Sequence, residues 1–167
     1  MSHAQTKLGP NTANLTGELP TVGSTAPAFT LSATDMSDKK LSDYAGKTVV
    51  MNIFPSVDTS VCAASIREFN LRAAELPNTA ILCISKDLPF AMKRFCGAEG
   101  TSKVQLLSDF RSRGFGMDYG VELTDTTFAG LFARAVVVID PQGKIKYTEL
   151  VPQIGDEPDY EKALKAI

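Results

Sequence analysis

The segment VVMNIFPSVDTSVC spans residues 49–62, and the rest of the chain can be interpreted from it. Its first six residues form an apolar run that is typical of a strand buried on both faces of a sheet. Pro55 ends this run, and the residues after it lead into a helix whose first turn contains Cys62. A residue at a helix N-terminus faces unpaired backbone N–H groups and the positive end of the helix dipole, which favour a thiolate over a thiol. The segment therefore predicts a central strand that delivers a candidate nucleophile, Cys62, to a helix start.

The residues on either side of this segment predict further helices and strands. Apolar residues recur at spacings of three and four from Ile66 to Leu76, which indicates an amphipathic helix that ends before Pro77. Residues 80–84 predict a buried strand, and Asp87-Leu88-Pro89 is typical of a helix start. The other predicted elements are a short strand at 29–31, a helix from 87 to about 97, a short strand at 105–108, a short helix at 110–119, a buried strand at 135–139, a turn at 140–143, an edge strand around 145–147 and a helix at 159–167.

The order of these elements predicts an α/β protein with a thioredoxin-like fold, in which helices flank a central mixed β-sheet. No internal repeat divides the chain, so we expect a single domain over residues 1–167. Residues 1–27 are polar and rich in glycine, proline and threonine, and we expect them to form an N-terminal surface extension. His3, the single histidine, then lies in a mobile tail.

The composition limits the classes of function. A chain of 167 residues that is 44% hydrophobic has the size of one domain and buries roughly 70% of its unfolded surface. The net charge is −2 and no window concentrates lysine and arginine, so nucleic acid is not an expected partner. Residues 1–20 lack the features of a signal peptide, and no apolar run approaches ~18 residues. We therefore expect a cytoplasmic protein with no membrane partner.

The three cysteines are too few for the disulfide framework of a small secreted protein, so we expect thiols in a reducing cytosol. Cys83 lies in the apolar strand 80–84 and is interpreted as an inert core residue. A single histidine removes the usual base of Cys-His catalysis and the commonest zinc ligand, and no metal or cofactor is predicted. Two alanines follow Cys62 where a C-x-x-C pair would be needed, which disfavours a thiol–disulfide oxidoreductase.

Residues 55–62 match the pattern P-x-x-x-T-x-x-C, and with the flanking residues 52–54 and 63–65 they resemble the active-site motif of the peroxiredoxins. The resemblance implies a peroxidase in which the Cys62 thiolate attacks the O–O bond of a peroxide. In such a site, the hydroxyl of Thr59 can lie beside the sulfur and relay a hydrogen bond to the peroxide. Pro55, which has no N–H and a fixed φ, can shape the loop and shield the sulfur from water.

Other segments are similar to one branch of that family, the thiol peroxidases, or atypical 2-Cys peroxiredoxins. These are residues 20–23, 94–100 and 157–160. The resemblance implies that Cys96 is the resolving cysteine, which forms an intramolecular disulfide with Cys62, and that Arg134 is the active-site arginine. It also implies hydrogen peroxide and organic hydroperoxides as substrates, thioredoxin as reductant and a homodimer as assembly.

Alternatives to this function stay open. A redox relay protein would keep the same cysteines but pass its oxidation to a partner. A non-catalytic member of the family would be expected to have lost Thr59, Cys62 or Arg134, and all three are present. Because Cys62 starts one helix and Cys96 ends another, we expect the first turn after Thr59 to unwind when the disulfide forms.

Overall fold

The computed structural model describes residues 3–167, and within them the chain forms nine strands and four α-helices. The strands are β1 (Gln5–Leu8), β2 (Asn11–Asn14), β3 (Thr30–Ala33), β4 (Asp38–Lys40), β5 (Thr48–Ile53), β6 (Thr79–Ser85), β7 (Gln105–Ser108), β8 (Ala135–Ile139) and β9 (Ile145–Leu150). The helices are α1 (Ser60–Ala73), α2 (Pro89–Glu99), α3 (Phe115–Asp118) and α4 (Tyr160–Lys165), and a 3₁₀ turn spans Leu41–Tyr44.

Seven of the strands described in residues 3–167 form one mixed sheet with the order β4-β3-β7-β6-β5-β8-β9. β5 pairs in parallel with β6 and antiparallel with β8, and all six of its residues are buried. The prediction of a doubly buried strand before the cysteine loop is therefore confirmed. The mixed sheet with flanking helices also confirms the predicted fold class.

Side chains on β5 alternate between two apolar clusters, one on each face of the sheet. Val50 packs on one face with Cys62 and Phe69 of α1, whereas Met51 packs on the other face with Phe132. This alternation is the period of a β-strand, in which successive side chains point to opposite faces. The face that carries α1 is the one that positions the predicted nucleophile.

The N-terminal segment differs from the expected surface extension with a mobile tail. β1 and β2 form an antiparallel hairpin whose Thr6 hydroxyl donates to the carbonyl of Val151 at 2.8 Å. Ala13 is buried in a third apolar cluster that includes Ile154. His3 is held as well, with its Nδ1 3.1 Å from the carbonyl oxygen of Thr16. The contacts of Thr6 with Val151 and of Ala13 with Ile154 join residues more than a hundred positions apart, so local composition could not indicate them.

The helix predicted over residues 110–119 is shorter in the structure, where α3 covers only Phe115–Asp118. Gly114 precedes it with a φ of 97°, a left-handed conformation that interrupts any helix from residue 110. Gly116 allows a close approach, because a Cβ there would lie 2.6 Å from Oε2 of Glu122. The glycines of this region therefore serve tight packing.

Within residues 3–167, no helix has the length and apolar character needed to cross a membrane.

Candidate active site

Cys62 is the third residue of α1 and is fully buried. The loop from Phe54 to Thr59 connects it to the end of β5, and Thr59 is the N-cap residue in an extended conformation. At this position the sulfur lies in the first turn, where backbone N–H groups have no partner within the helix. The predicted placement of the cysteine at a helix start is confirmed.

Arg134 contacts the sulfur directly. It precedes β8, whose Ala135 pairs with Ile53 at the end of β5, so the arginine lies where the cysteine loop leaves the sheet. Its Nη2 donates to Sγ of Cys62 at 3.2 Å, and its Nε donates to the carbonyl of Ile154 at 2.8 Å. These two bonds fix the plane of the guanidinium against the sulfur.

The guanidinium of Arg134 is only 2% exposed, and no ion pair within residues 3–167 includes it. A buried cation without a carboxylate partner stabilises negative charge on the nearest polarisable atom, which here is the Cys62 sulfur. Nη1 is also buried and has no hydrogen-bond acceptor in the described residues. One donor of the guanidinium is thus unpaired in the described part of the chain, at a position that bulk solvent does not reach.

A pocket of ≈ 130 Å³ opens beside this pair. Its wall is mostly apolar and comes from distant parts of the chain: Leu8, Pro55, Thr59, Ser60, Val61, Phe128, Arg134, Ile154 and Gly155. The structure therefore brings Pro55, Thr59 and Arg134 together around one pocket, and Arg134 connects this pocket to the sulfur of Cys62, which is buried behind the lining. The residues that sequence reasoning missed are Leu8, Phe128 and Ile154, which lie outside any motif.

Thr59 lies in this pocket, but its hydroxyl proton is directed at the backbone. Oγ1 donates to the carbonyl of Ser56 at 3.2 Å, so the expected contact with the sulfur is not among its hydrogen bonds in this arrangement. The lone pairs of Oγ1 remain free to accept a hydrogen bond from a bound hydroperoxide. Pro55 is buried in the pocket wall, as expected for a residue that shields the sulfur.

Asp87 is a second residue near the loop that sequence reasoning missed. The segment Asp87-Leu88-Pro89 indicated a helix start, and α2 does begin there, with Leu88 as N-cap and no side-chain cap. The carboxylate of Asp87 instead accepts hydrogen bonds from the Ser56 hydroxyl at 2.8 Å and the Val57 N–H at 2.9 Å. It therefore holds the loop that precedes Cys62.

Cys96 lies on α2, one turn before the helix ends, and is half-buried. It packs against the same apolar cluster that contains Cys62, although the structure does not pair the two thiols. Two ion pairs join the regions around them: Arg94 with Asp58 at 3.6 Å and Arg67 with Glu99 at 3.3 Å. The helix with Cys96 thus lies alongside the loop and helix with Cys62.

Cys83 lies on β6, fully buried in the same apolar cluster. Burial raises the pKa of the Cys83 thiol to about 12. A weak contact from Nδ2 of Asn52 to its sulfur at 3.8 Å lowers this pKa, but by less than burial raises it. A neutral buried thiol is a poor nucleophile.

No group of three or more His, Cys, Asp or Glu side chains in the described chain is arranged to hold a metal ion.

Several known proteins are similar to this chain in sequence or in structure. Residues 21–164 match the Redoxin family. A thiol peroxidase from Mycobacterium tuberculosis is 57% identical over 164 residues, which cover 98% of each chain. The crystal structure of a peroxiredoxin-like protein from Aquifex aeolicus superposes with a TM-score of 0.91 at 34% identity and covers 100% of both chains. A thiol peroxidase from Chromobacterium violaceum has the same fold, with a TM-score of 0.90 at 23% identity over 99% of this chain and 96% of its own.

Proposed function

The chain belongs to the Redoxin family, and from that membership we propose that it is a thiol peroxidase that reduces hydrogen peroxide and organic hydroperoxides. The observation that carries the proposal is the hydrogen bond from Nη2 of Arg134 to Sγ of Cys62, between two buried side chains. A cation fixed against a sulfur at a helix start stabilises the nucleophile and the negative charge that forms when the O–O bond breaks.

In the first step, the Cys62 thiolate attacks one oxygen of the hydroperoxide. An S–O bond forms and the O–O bond breaks, so that the sulfur becomes a sulfenic acid and the second oxygen leaves as an alkoxide or hydroxide. The leaving oxygen takes up a proton to give alcohol or water. Two features support binding of the peroxide oxygens by Arg134 and Thr59: Nη1 of Arg134 has no acceptor in the described chain, and the side chains of both residues line the pocket.

In the second step, the Cys96 thiolate attacks the sulfur of the Cys62 sulfenic acid. An S–S bond forms, the S–O bond breaks, and hydroxide leaves and is protonated to water. The ion pair between Arg94 and Asp58 supports this pairing, because it holds the helix of Cys96 beside the loop of Cys62. Cys62 must leave its contact with Arg134 to reach Cys96, and we infer that the first turn of α1 unwinds as it does so.

In the third step, a dithiol protein of the thioredoxin type reduces the Cys62–Cys96 disulfide and is itself oxidised to a disulfide.

We place this cycle in the cytoplasm, because reducing compartments keep such thiols available. The proposed assembly is a homodimer, and the exposed apolar side chains of Leu88 and Phe90, which lie two positions apart at the start of α2, support a contact surface there. Light scattering on the intact protein at micromolar concentration tests this part of the proposal.

The decisive experiment is thioredoxin-coupled oxidation of NADPH with cumene hydroperoxide. We expect Cys62→Ser to abolish turnover, and Cys96→Ser to abolish turnover while still consuming one equivalent of peroxide. Cys83→Ser is the matched control and should keep turnover within about twofold, because a buried neutral thiol has no role in the cycle. If Cys96→Ser turns over at the rate of the unchanged protein, the intramolecular disulfide is excluded.

The second candidate function is a redox relay, in which a partner protein and not Cys96 attacks the sulfenic acid. The half-buried Cys96 on the adjoining helix favours the peroxidase. Sustained peroxide consumption at nanomolar protein concentration with thioredoxin alone would exclude an obligatory relay partner.

A further inference from the structure

Asp87 lies between β6 and α2, and its backbone is fixed to the sheet. Its N–H donates to the hydroxyl of Ser85 at 3.2 Å, and its carbonyl accepts a hydrogen bond from the hydroxyl of Ser108 on β7. Pro89, two residues later, begins the helix that carries Cys96. Asp87 is therefore a fixed point from which a side chain can hold a neighbouring loop.

The carboxylate of Asp87 extends from this fixed point to the loop before Cys62. It accepts three hydrogen bonds: from the hydroxyl of Ser56 at 2.8 Å, the N–H of Val57 at 2.9 Å and the hydroxyl of Ser85 at 2.5 Å. No ion pair among residues 3–167 involves Asp87. The charge is therefore stabilised by these donors, and charge-assisted hydrogen bonds are stronger than neutral ones.

Ser56 transmits this restraint along the loop. Its hydroxyl oxygen accepts a hydrogen bond from the N–H of Asp58 at 3.1 Å. Its carbonyl accepts from both the N–H and the hydroxyl of Thr59, each at 3.2 Å. Hydrogen bonds thus connect the Asp87 carboxylate to the loop from Ser56 to Thr59, and the exposed ion pair of Asp58 with Arg94 is a second contact of this loop.

The first turn of α1 depends on this restraint, because its own N-cap does not stabilise it. Thr59 occupies the N-cap position, where a hydroxyl commonly accepts a hydrogen bond from the first turn, yet its side chain makes no such bond. The turn that contains Cys62 is therefore held by the loop before it and by the contact of the sulfur with Arg134.

We propose that Asp87 is a positioning residue that holds the loop of residues 56–59, and through it Cys62, in the arrangement that reacts with peroxide. This inference rests on the proposed peroxidase function and adds to it a residue outside the active-site motif. The hydrogen bonds of Asp87 stabilise the state in which Cys62 contacts Arg134. None of them depends on the state in which Cys62 has moved to Cys96. Its loss should therefore slow oxidation of Cys62 and leave disulfide formation as fast or faster.

The test measures the two steps separately by rapid chemical quench of the reduced protein mixed with hydrogen peroxide, with the sulfenic acid and the disulfide quantified by mass spectrometry. Asp87→Ala removes the carboxylate, and Ser56→Ala removes one donor on the loop side. Asp140→Ala is the matched control, because it removes a carboxylate that accepts two backbone hydrogen bonds, from the N–H groups of Gln142 and Lys144, in the turn between β8 and β9. Thermal unfolding reports the stability of each variant.

We expect Asp87→Ala to lower the second-order rate constant of Cys62 oxidation about tenfold, in line with loss of charge-assisted hydrogen bonds. Ser56→Ala should lower it less, and the double variant should match Asp87→Ala because both changes break the same contact. Asp140→Ala should lower the melting temperature without changing the rate of oxidation.

The inference is overturned if Asp87→Ala and Ser56→Ala oxidise at the rate of the unchanged protein, or if both steps slow in proportion to lost stability. If Asp87→Ala does not fold, Ser56→Ala decides the matter alone. If the unchanged protein shows no oxidation of Cys62 by peroxide, the proposed function itself is wrong, and this inference is overturned with it.

Discussion

Arg134 donates a hydrogen bond to the sulfur of Cys62 at 3.2 Å, although 72 positions separate the two residues in the chain. The antiparallel pairing of β5 and β8 makes this contact possible, because it places the start of β8 beside the end of β5. The sulfur and the guanidinium therefore meet only in the folded protein.

Replacing Arg134 should slow the first chemical step. Arg134→Met keeps the length of the side chain but removes its charge and donors, and we expect the rate constant of Cys62 with peroxide to fall about 100-fold. Arg134→Lys should recover only part of this loss, because an ammonium cannot hold the Ile154 carbonyl and the sulfur together in one plane. Stopped-flow oxidation kinetics check both variants. Arg67→Met, which changes an exposed arginine on α1, is the control and should react normally.

Cys83 should resist alkylation in the folded protein. Its pKa of about 12, against 9.0 for an unperturbed thiol, lowers the thiolate fraction at pH 8 about a thousandfold. Peptide mapping after iodoacetamide treatment should find label on Cys96 but none on Cys83 until the protein is unfolded in guanidinium. Rapid labelling of Cys83 at pH 8 would show that β6 is open to solvent.

The raised pKa of Cys83 also determines how its protonation contributes to stability. The fold favours the neutral thiol, so its contribution is fully present below pH 9 and is lost as the pH rises towards about 12. Urea titrations between pH 8 and pH 11 should show that the free energy of unfolding falls less in Cys83→Ala than in the unchanged protein.

The apolar wall of the pocket should discriminate between peroxides. Phe128 lines the pocket beside Arg134, where it can contact the organic group of a hydroperoxide but not hydrogen peroxide itself. We expect Phe128→Ala to raise the KM for cumene hydroperoxide about tenfold, through loss of buried apolar contact, and to change the kinetics with hydrogen peroxide less than twofold. Leu71→Ala, at an exposed position on α1, is the control. Equal losses with both peroxides would mean that Phe128 supports the fold and does not select the substrate.

Asp109 should make stability depend on pH. Burial raises its pKa, and the nearby charges of Lys86 and Arg113 only partly offset this effect. Because the pKa is raised in the folded state, the protonated acid stabilises the fold. This contribution to the free energy of unfolding is present below the unfolded-state pKa near 3.8 and is lost as the pH rises through the folded-state pKa. Asn stays neutral at every pH. The stability of Asp109→Asn relative to the unchanged protein should therefore be greater at pH 7 than at pH 4, as measured by urea unfolding at the two pH values.

Strong local patterns predicted much of the fold. The apolar run of residues 49–54 and the spacing of apolar residues after Cys62 are continuous in sequence, and β5 and α1 follow them closely. The hairpin of β1 and β2 could not be predicted in this way, because its strands carry few apolar residues. Their packing on Leu123 and Ile154 comes from distant parts of the chain.

The active site was predictable only in part for the same reason. Cys62 could be proposed from its place between a strand and a helix, whereas Cys96 and Arg134 were assigned through a family resemblance. Asp87 had the residue type of a helix cap, and only the structure shows that its carboxylate contacts the loop before Cys62. The pocket wall from Leu8 and Phe128 has no local signature, since both residues lie outside regular motifs.

The pocket wall contains Leu8 and Ile154, which lie far apart in the sequence, so it can form only after most of the chain has been synthesised. A nascent chain on the ribosome exposes Cys62 long before residues 151–155 have been synthesised, and until then the guanidinium of Arg134 lacks the carbonyl that orients it. The contact between Arg134 and Cys62 therefore cannot have its final geometry in a partly synthesised chain. Assembly of the site coincides with the end of folding, because the carbonyl that orients the guanidinium belongs to one of the last residues to join the structure.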